Sequence, residues 1–371
     1  MYYIAVETSC DETSLAILKK TTSKEKNFLT YLNSHVVVSS IIASQAKIFA
    51  QYGGVIPEIS ARHHAEQIFD LFDLVLQETL NKEELSLDTF WKSVDTIFVT
   101  TTPGLQSALR VGIEFAKSLC FIIESEGGKA DVEAVNHLHG HTISAFYGTT
   151  EQYPDTELFP HLHLLVSGGN TQTLWLENPT TVTILGQTLD DAAGECLDKI
   201  GRMVGLTYPA GATIAKIVGN ATENPIGLTV SMKKSESCDF SYSGLKTAVR
   251  YYIQKNNQLG ITYEQKLTDS ELIELMSGNV TTSKLIAIKS ILTSAHTVVI
   301  EQLIQQFKKA MRTSKPASIG LSGGVSANTL LRSKLSYLHA QFFLAPISLS
   351  GDNAVMIGLA GVADRYVSKT D

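Results

Sequence analysis

Cysteine is sparse in this sequence. Cys10, Cys120, Cys196 and Cys238 stand far apart in 371 residues and form no C-x-x-C pair. That spacing offers neither a disulfide framework nor a zinc knuckle, and it suits a reducing compartment. No run of 18 or more uncharged apolar residues occurs, so no membrane-spanning helix is predicted. The opening MYYIAVETSC passes straight into a strand-like pattern, with no basic stretch and no cleavable apolar segment, so no signal peptide is predicted. A cytoplasmic protein is expected. Neither G-x-G-x-x-G nor the P-loop lysine pattern appears, which argues against dinucleotide-binding and P-loop folds. Positive charge is also in deficit: 30 Lys and Arg face 37 Asp and Glu, for a formal net charge of −7. The whole molecule therefore does not attract nucleic acid, and any RNA contact needs a local patch or a partner.

What is present is ordinary for a compact fold, with 44% hydrophobic and 18% charged residues. The length favours two α/β domains. Basic residues gather at Lys233, Lys234, Lys246, Arg250 and Lys255, and again at Lys308, Lys309, Arg312 and Lys315. Each group reads either as a solvated helix face, the commoner case, or as an RNA contact.

Two segments share one plan. IAVETSCDETSLAIL, from Ile4 to Leu18, and LHLLVSGGNTQTLWL, from Leu162 to Leu176, each read as strand, small polar turn and returning strand. Their separation of roughly 160 residues suits a duplicated α/β unit rather than a solenoid. SIGLSGGVSANTLLRSKL reads as a buried strand passing at Gly323 and Gly324 directly into a helix. Pro57 marks a helix start, followed at near-helical spacing by Ile59, Ile68, Phe69, Phe72 and Leu76. Thr96 to Thr100 is a predicted strand and Ser107 to Cys120 a predicted helix. Alternating strands and helices give an α/β class with mixed sheets covered by helices. The expected boundaries are a first unit over 1–145, with a C-terminal helix 352–371 packing back on it, and a second over 146–351. The less regular region 220–280 is read as a surface insertion.

Small-residue turns at strand ends form concave anion sites when backbone amides face inward. Ser9 to Thr13, Ser167 to Thr171 and Ser322 to Asn328 are three such turns, read either as tight turns or as parts of one nucleotide cradle. His137 and His141, four apart in AVNHLHGHTISAF, would share a helix face and could share a metal, with His139 pointing elsewhere. A polar surface helix explains the same spacing. A third ligand would come from distant sequence, most simply Asp352 in SGDNAVM, which otherwise reads as a helix cap. In TLDDAAGECLDK, Thr188 is the expected cap of a helix with Asp190 and Asp191 in its first turn, and Asp198 is the residue placed to hold a ligand. In DFSYSGLKTAV, Ser243 is the expected cap and Lys246 lies one turn in.

Taken together, ETSCDET, GGVIPEISARHH, PGLQSALRVG, VNHLHGH, LLVSGGNTQ, TLDDAAGECLDKIGRMVGLTYPAG, FSYSGLKTAV, SGGVSANTLLR and DNAVMIG resemble one family in order and over nearly the whole chain. It is the tRNA threonylcarbamoyladenosine transferase family, called TsaD in bacteria, with relatives in the KEOPS complex and mitochondria. The resemblance implies the duplicated fold of actin, hexokinase and the heat-shock ATPases. It implies that His137, His141 and Asp352 bind one divalent metal, Fe(II) or Zn(II). It further implies that Leu165, Val166, Ser167, Gly168, Gly169, Asp198, Gly211 and Asn328 contact an adenylate, and that Asp11 and Glu12 serve activity. Asn170, Ala210, Thr102 and Gly351 depart from the family's usual histidine, glycine, glycine and threonine. Some relatives place a metal-binding tyrosine where this chain has Leu165, which cannot ligate.

By the same resemblance the substrates are threonylcarbamoyl adenylate and tRNA, and the partners are TsaB-like and TsaE-like subunits with a TsaC-like enzyme upstream. A metalloprotease is the first rival. Zincins need glutamate directly after the first histidine, and Leu138 stands there. A small-molecule kinase on the same fold is the second.

Overall fold

The computed structural model describes residues 1–21, 26–49, 51–52, 54–151, 153–233, 235–263 and 265–367. Lys234, and the last four residues of the expected C-terminal helix, lie outside them. The described strands are β1 (Tyr2–Glu7), β2 (Glu12–Lys20), β3 (His35–Ser44), β4 (Val94–Thr102), β5 (Asp131–Asn136), β6 (His161–Val166), β7 (Thr171–Leu176), β8 (Val182–Gln187), β9 (Ser318–Ser322) and β10 (Phe342–Leu344). The helices that matter below are α1 (Pro57–Glu83), α2 (Gln106–Ser125), α3 (His137–Ile143), α4 (Ala193–Met203), α5 (Gly211–Val218), α6 (Ser243–Lys255), α7 (Ser283–Ser314), α8 (Thr329–Ser336) and α9 (Ala354–Val367).

Two five-stranded sheets form, in the orders β3-β2-β1-β4-β5 and β10-β9-β6-β7-β8. Each half of the chain thus lays down its strands in the same order, third, second, first, fourth, fifth, which fits the duplicated unit read from the repeated strand-turn-strand segments. In the first sheet β1 pairs antiparallel with β2 and parallel with β4, and β4 pairs parallel with β5. The α/β class with mixed, helix-covered sheets is what the structure has. The chain divides into two compact units, one of Met1–His161, Leu176–Val182 and Phe343–Asp371, the other of Leu162–Trp175 and Thr183–Phe342.

In the first unit β1 is buried along its whole length, which is why YYIAVE shows no polar alternation. One face of the sheet, with Tyr2, Ile4, Val6, Leu15 and Ile17, packs on α1 and α2 through Ile68, Phe72, Phe115 and Leu119. The other face lies under α9. A β-carbon on Gly358 would stand 2.5 Å from Leu18, and one on Gly361 2.2 Å from Phe98. Arg365 anchors α9 by ion pairs to Asp95 on β4 at 2.5 Å and Glu133 on β5 at 2.6 Å. Pro57 begins α1 as predicted, and Ile68, Phe72 and Leu76 are buried. Phe69 is not part of that stripe. It is 58% exposed and only leans edge-on against Phe115, because one residue rotates a helix position by about 100°.

The second unit is organised on α7, a 32-residue helix. It is the one described helix long and apolar enough to cross a membrane, yet 72% of its apolar window is buried inside the protein. Burial on most sides explains why that window carries so little charge. The turn after β9 is also more elaborate than expected, with a 3-10 turn at Gly324–Ala327 before α8 begins.

Gly361→Val would drive two methyl groups into Phe98. Overpacking of this kind costs about 1–3 kcal/mol, so a lowered Tm is expected in thermal denaturation, and an unchanged Tm would show that α9 does not press on the sheet.

Candidate functional site

In the first unit β5 runs directly into α3, and Asn136 makes the junction. Its side-chain oxygen accepts the amides of Leu138 and His139, capping the helix one residue before His137. His137 and His141 then fall a turn apart on one face, with ring centroids 4.8 Å from each other. Every residue of α3 is buried, so the surface-helix alternative does not hold. His139 points away, as expected, and its Nε2 meets the Pro179 carbonyl at 2.6 Å.

Asp352 arrives from the far end of the sequence. A β-carbon on Gly140 would stand 3.0 Å from Ile357 and Met356, so glycine there lets α9 close on α3. The Ala354 amide donates to Ser14 and fixes the start of α9. Asp352 Oδ1 consequently lies 3.1 Å from His141 Nε2 and 3.7 Å from His137 Nε2. It does not cap the helix; Asn353 does, accepting the Met356 amide at 2.9 Å. One donor atom from each of His137, His141 and Asp352 falls within 4.8 Å of the others, and this set could hold a metal ion. Two imidazoles and a carboxylate form a donor set suited to a borderline divalent cation.

A residue that sequence reasoning passed over completes the arrangement. Glu7 ends β1, is fully buried, and sets Oε2 3.1 Å from His137 Nδ1. Its carboxylate also accepts from the Ser9 amide and the Thr100 hydroxyl. The signal was an acid closing a strand that is otherwise apolar. Burial alone would raise the Glu7 carboxyl, but His137 outweighs it and holds the group below the ordinary carboxylate range. Burial likewise disfavours charge on His137, yet Asp352 and Glu7 prevail and push it up to about 9. His141 is moved the other way, since burial dominates and keeps it neutral.

The turn after β1 is held from several sides. The Cys10 carbonyl meets Ser60 Oγ and His64 Nε2, while Thr13 hydrogen-bonds His64 Nδ1 at 2.7 Å. Asp11 and Glu12 sit half-buried on it. Burial, then the charges of Asp11 and Asp352, drive the Glu12 carboxyl well above its ordinary range.

In the second unit the turns after β6 and β9 meet. His163 on β6 bonds Ser322 on β9 at 2.7 Å. Gly323 has φ +89, and a β-carbon on it would stand 2.3 Å from the Val166 carbonyl, so the backbone demands that glycine. Gly168 and Gly169 differ. Both are exposed, neither has a left-handed φ, and a β-carbon on either would meet nothing within 4 Å. Neither the fold of the turn nor its packing requires them. Ser167 Oγ accepts the Gly169 and Asn170 amides at 3.3 and 2.9 Å, so these two amides are turned inward. Leu165 and Val166 bury their side chains in β6 and can offer only backbone. Asp198 accepts the amides of Ala210 and Gly211 at 2.7 and 3.0 Å, joining α4 to the start of α5. Asn328 caps α8 through the Leu331 amide and donates to His296 Nε2 at 2.6 Å.

A sequence profile described as tRNA N6-adenosine threonylcarbamoyltransferase, TsaD, matches residues 36–359. The chain belongs to the TsaD family. It is 35% identical over 365 residues to the tRNA N6-adenosine threonylcarbamoyltransferase of Fervidobacterium nodosum, covering 98% of this chain and 93% of that one. The enzyme of the same name from Moorella thermoacetica is 36% identical over 361 residues, with 96% and 90% covered. That from Bacillus subtilis is 33% identical over 366 residues, with 97% and 90% covered.

Two further features of this TsaD chain differ from the sequence reading. The helix α4 starts at Ala193 rather than at Thr188, and Asp190 and Asp191 precede it. Thr188 Oγ1 donates to the Asp191 carbonyl instead of capping α4. Asp190 caps a different helix: it accepts the Tyr242 and Ser243 amides at 2.7 and 3.2 Å and both flanking serine hydroxyls, so Ser243 is the first residue of α6 and not its cap. Asp191 bridges Lys199 at 2.5 Å and Lys246 at 2.9 Å. The second difference concerns the basic groups. Lys246 is committed to Asp191, and Lys309 donates to the carbonyls of Ser235 and Ser237. Gln302, Gln306 and Lys309 grip the segment from Ser231 to Ser241 along α7. Lys308, Arg312 and Lys315 remain exposed.

The contrast between glycines is testable. Gly323→Val should lower Tm sharply because it meets the Val166 backbone at a left-handed φ, whereas Gly169→Val should leave Tm within about 1 °C, as expected for surface changes of under roughly 0.5 kcal/mol. Equal losses in the two variants, followed by circular dichroism, would contradict the open placement of Gly169.

Proposed function

We propose that the chain moves the threonylcarbamoyl group of threonylcarbamoyl adenylate to the N6 amine of the adenosine next to the anticodon, in tRNAs reading codons that begin with A. The amine nitrogen bonds to the carbamoyl carbon, the bond from that carbon to the phosphate oxygen breaks, and AMP leaves with the electron pair. The amine gives up one proton. The convergence of His137, His141 and Asp352 within a TsaD chain carries this reading.

Those three residues would hold Fe(II) or Zn(II). When bound, the ion supplies Lewis-acid stabilisation of charge developing on a substrate oxygen. Glu12, half-buried beside Asp11 on the turn after β1, is the group proposed to hold and exchange a proton. The exposed Gly168 and Gly169 leave room for the adenylate at Ser167. Asp198 and Asn328 shape its surroundings by fixing Ala210, Gly211 and the start of α8, and Leu165 and Val166 contribute backbone. The cytoplasm is the proposed location, with TsaB-like and TsaE-like subunits as partners and a TsaC-like enzyme supplying the adenylate. The protease reading lacks its base, since Leu138 occupies the required position.

Nucleoside analysis of tRNA incubated with the adenylate, the chain and its partner subunits tests the activity. His141→Ala and Asp352→Ala should each lose both bound metal and product while circular dichroism stays unchanged. Stoichiometric metal in either folded variant would sink the three-ligand site, and absence of modified adenosine with wild-type protein would sink the transferase reading.

For tRNA, Lys308, Arg312 and Lys315 are the proposed phosphate contacts, with Lys309 left out because it already holds a loop. Reversing all three charges should weaken binding and reduce the slope of log K against log salt by about 2 to 3, given nearly one unit per contact. Titrations at several salt concentrations that retain the wild-type slope would remove this patch.

A further inference from the structure

We propose that Glu7 is the positioning residue for His137: it holds the Nδ1 proton of the ring and so directs the Nε2 lone pair to the metal. The inference rests on the metal reading above and adds a residue to it. An ionised carboxylate can only accept hydrogen bonds, so where it meets an imidazole nitrogen the ring must donate. Glu7 Oε2 lies 3.1 Å from His137 Nδ1, and both side chains are buried. With Nδ1 protonated, only Nε2 can ligate, and Nε2 is the atom facing Asp352. Ser9 Oγ lies 3.2 Å from the same Nδ1. A hydroxyl can donate or accept, so Ser9 by itself cannot choose the tautomer.

Glu7 is itself locked. Its oxygens accept the Ser9 amide and the Thr100 hydroxyl besides the ring, so the carboxylate cannot turn without stranding a buried donor. His141 has no such arrangement, because its Nδ1 is buried with no partner among the described atoms. The two histidines are therefore held unequally, since only His137 has a carboxylate on its second ring nitrogen among the described atoms. Partners of this kind typically contribute 10-fold to 100-fold in metal affinity.

Glu7→Gln separates shape from charge. Its amide has one acceptor side and one donor side, whereas Glu7 faces donors on both. Either the NH2 opposes the Ser9 amide, or it faces Nδ1 and forces the ring proton onto Nε2, where it blocks the metal. Zinc affinity measured by chelator competition should fall about 10-fold to 100-fold in Glu7→Gln. In zinc-loaded wild-type protein, imidazole nitrogen NMR should show His137 metallated at Nε2 with a retained Nδ1 proton. Unchanged zinc affinity in folded Glu7→Gln, with wild-type protein binding zinc, overturns the role of Glu7 alone. Wild-type protein that takes up no zinc overturns the three-ligand reading and this inference with it. If the variant does not fold, the wild-type spectrum decides, and His137 bound through Nδ1 overturns the proposal.

Discussion

A carboxylate with no solvent exposure is tolerable only when donors satisfy it, and Glu7 draws those donors from the surrounding elements. The Ser9 amide comes from the turn after β1, the Thr100 hydroxyl from β4, and the His137 ring from the helix after β5. These are the three parallel strands of the first sheet, and each reaches the site at its carboxyl end. Ligands in open α/β sheets gather at such strand ends, because the strands stop there and their following turns diverge. The alternation of Glu7, His137 and Asp352 places charges of opposite sign beside each other in a buried place, which is why the histidine is shifted upward and the glutamate downward.

The second sheet repeats the pattern with different chemistry. Its first and fourth strands, β6 and β9, correspond to β1 and β4; they are bonded by His163 and Ser322, and their carboxyl ends meet where Gly323 approaches the Val166 carbonyl. Gly323 permits the close approach. No acid ends β6, and the small turn that follows is left open at Gly168 and Gly169. One strand order thus supports a ligand-atom cluster in one unit and an open turn in the other.

Helices are positioned in both units by carboxylates and amides distant in sequence. Asp190 caps α6 from more than fifty residues away. It is a stronger acceptor than a local serine hydroxyl, since the hydrogen bonds are charge-assisted. This is the reason that TLDDAAG and FSYSG, which read separately as two self-capped helix starts, do not cap themselves in the structure. Asp190 is used between segments, and Asp191 both within its own, to Lys199, and across to Lys246. Likewise Lys309 looked like a free charge in a basic run and instead supports a loop.

Local chemistry made much of this protein legible in its sequence. Apolar strands, small turns and Pro57 are short-range signals, so the α/β class, the repeated strand-turn-strand plan and the placement of His137 and His141 on one face follow from spacing alone. The motif order marked the family. Contacts between residues far apart in sequence were decided only by the tertiary structure. Gly140 had to be seen against α9 before Asp352 could be placed beside the histidines, and Glu7 had to be seen against β4 and α3 before its burial made sense. Periodicity reports which way a side chain faces along its own element. It carries no information about which residue of another element will meet it, and in this chain the charges at the site are settled by such meetings while the caps of α3 and α9 stay local.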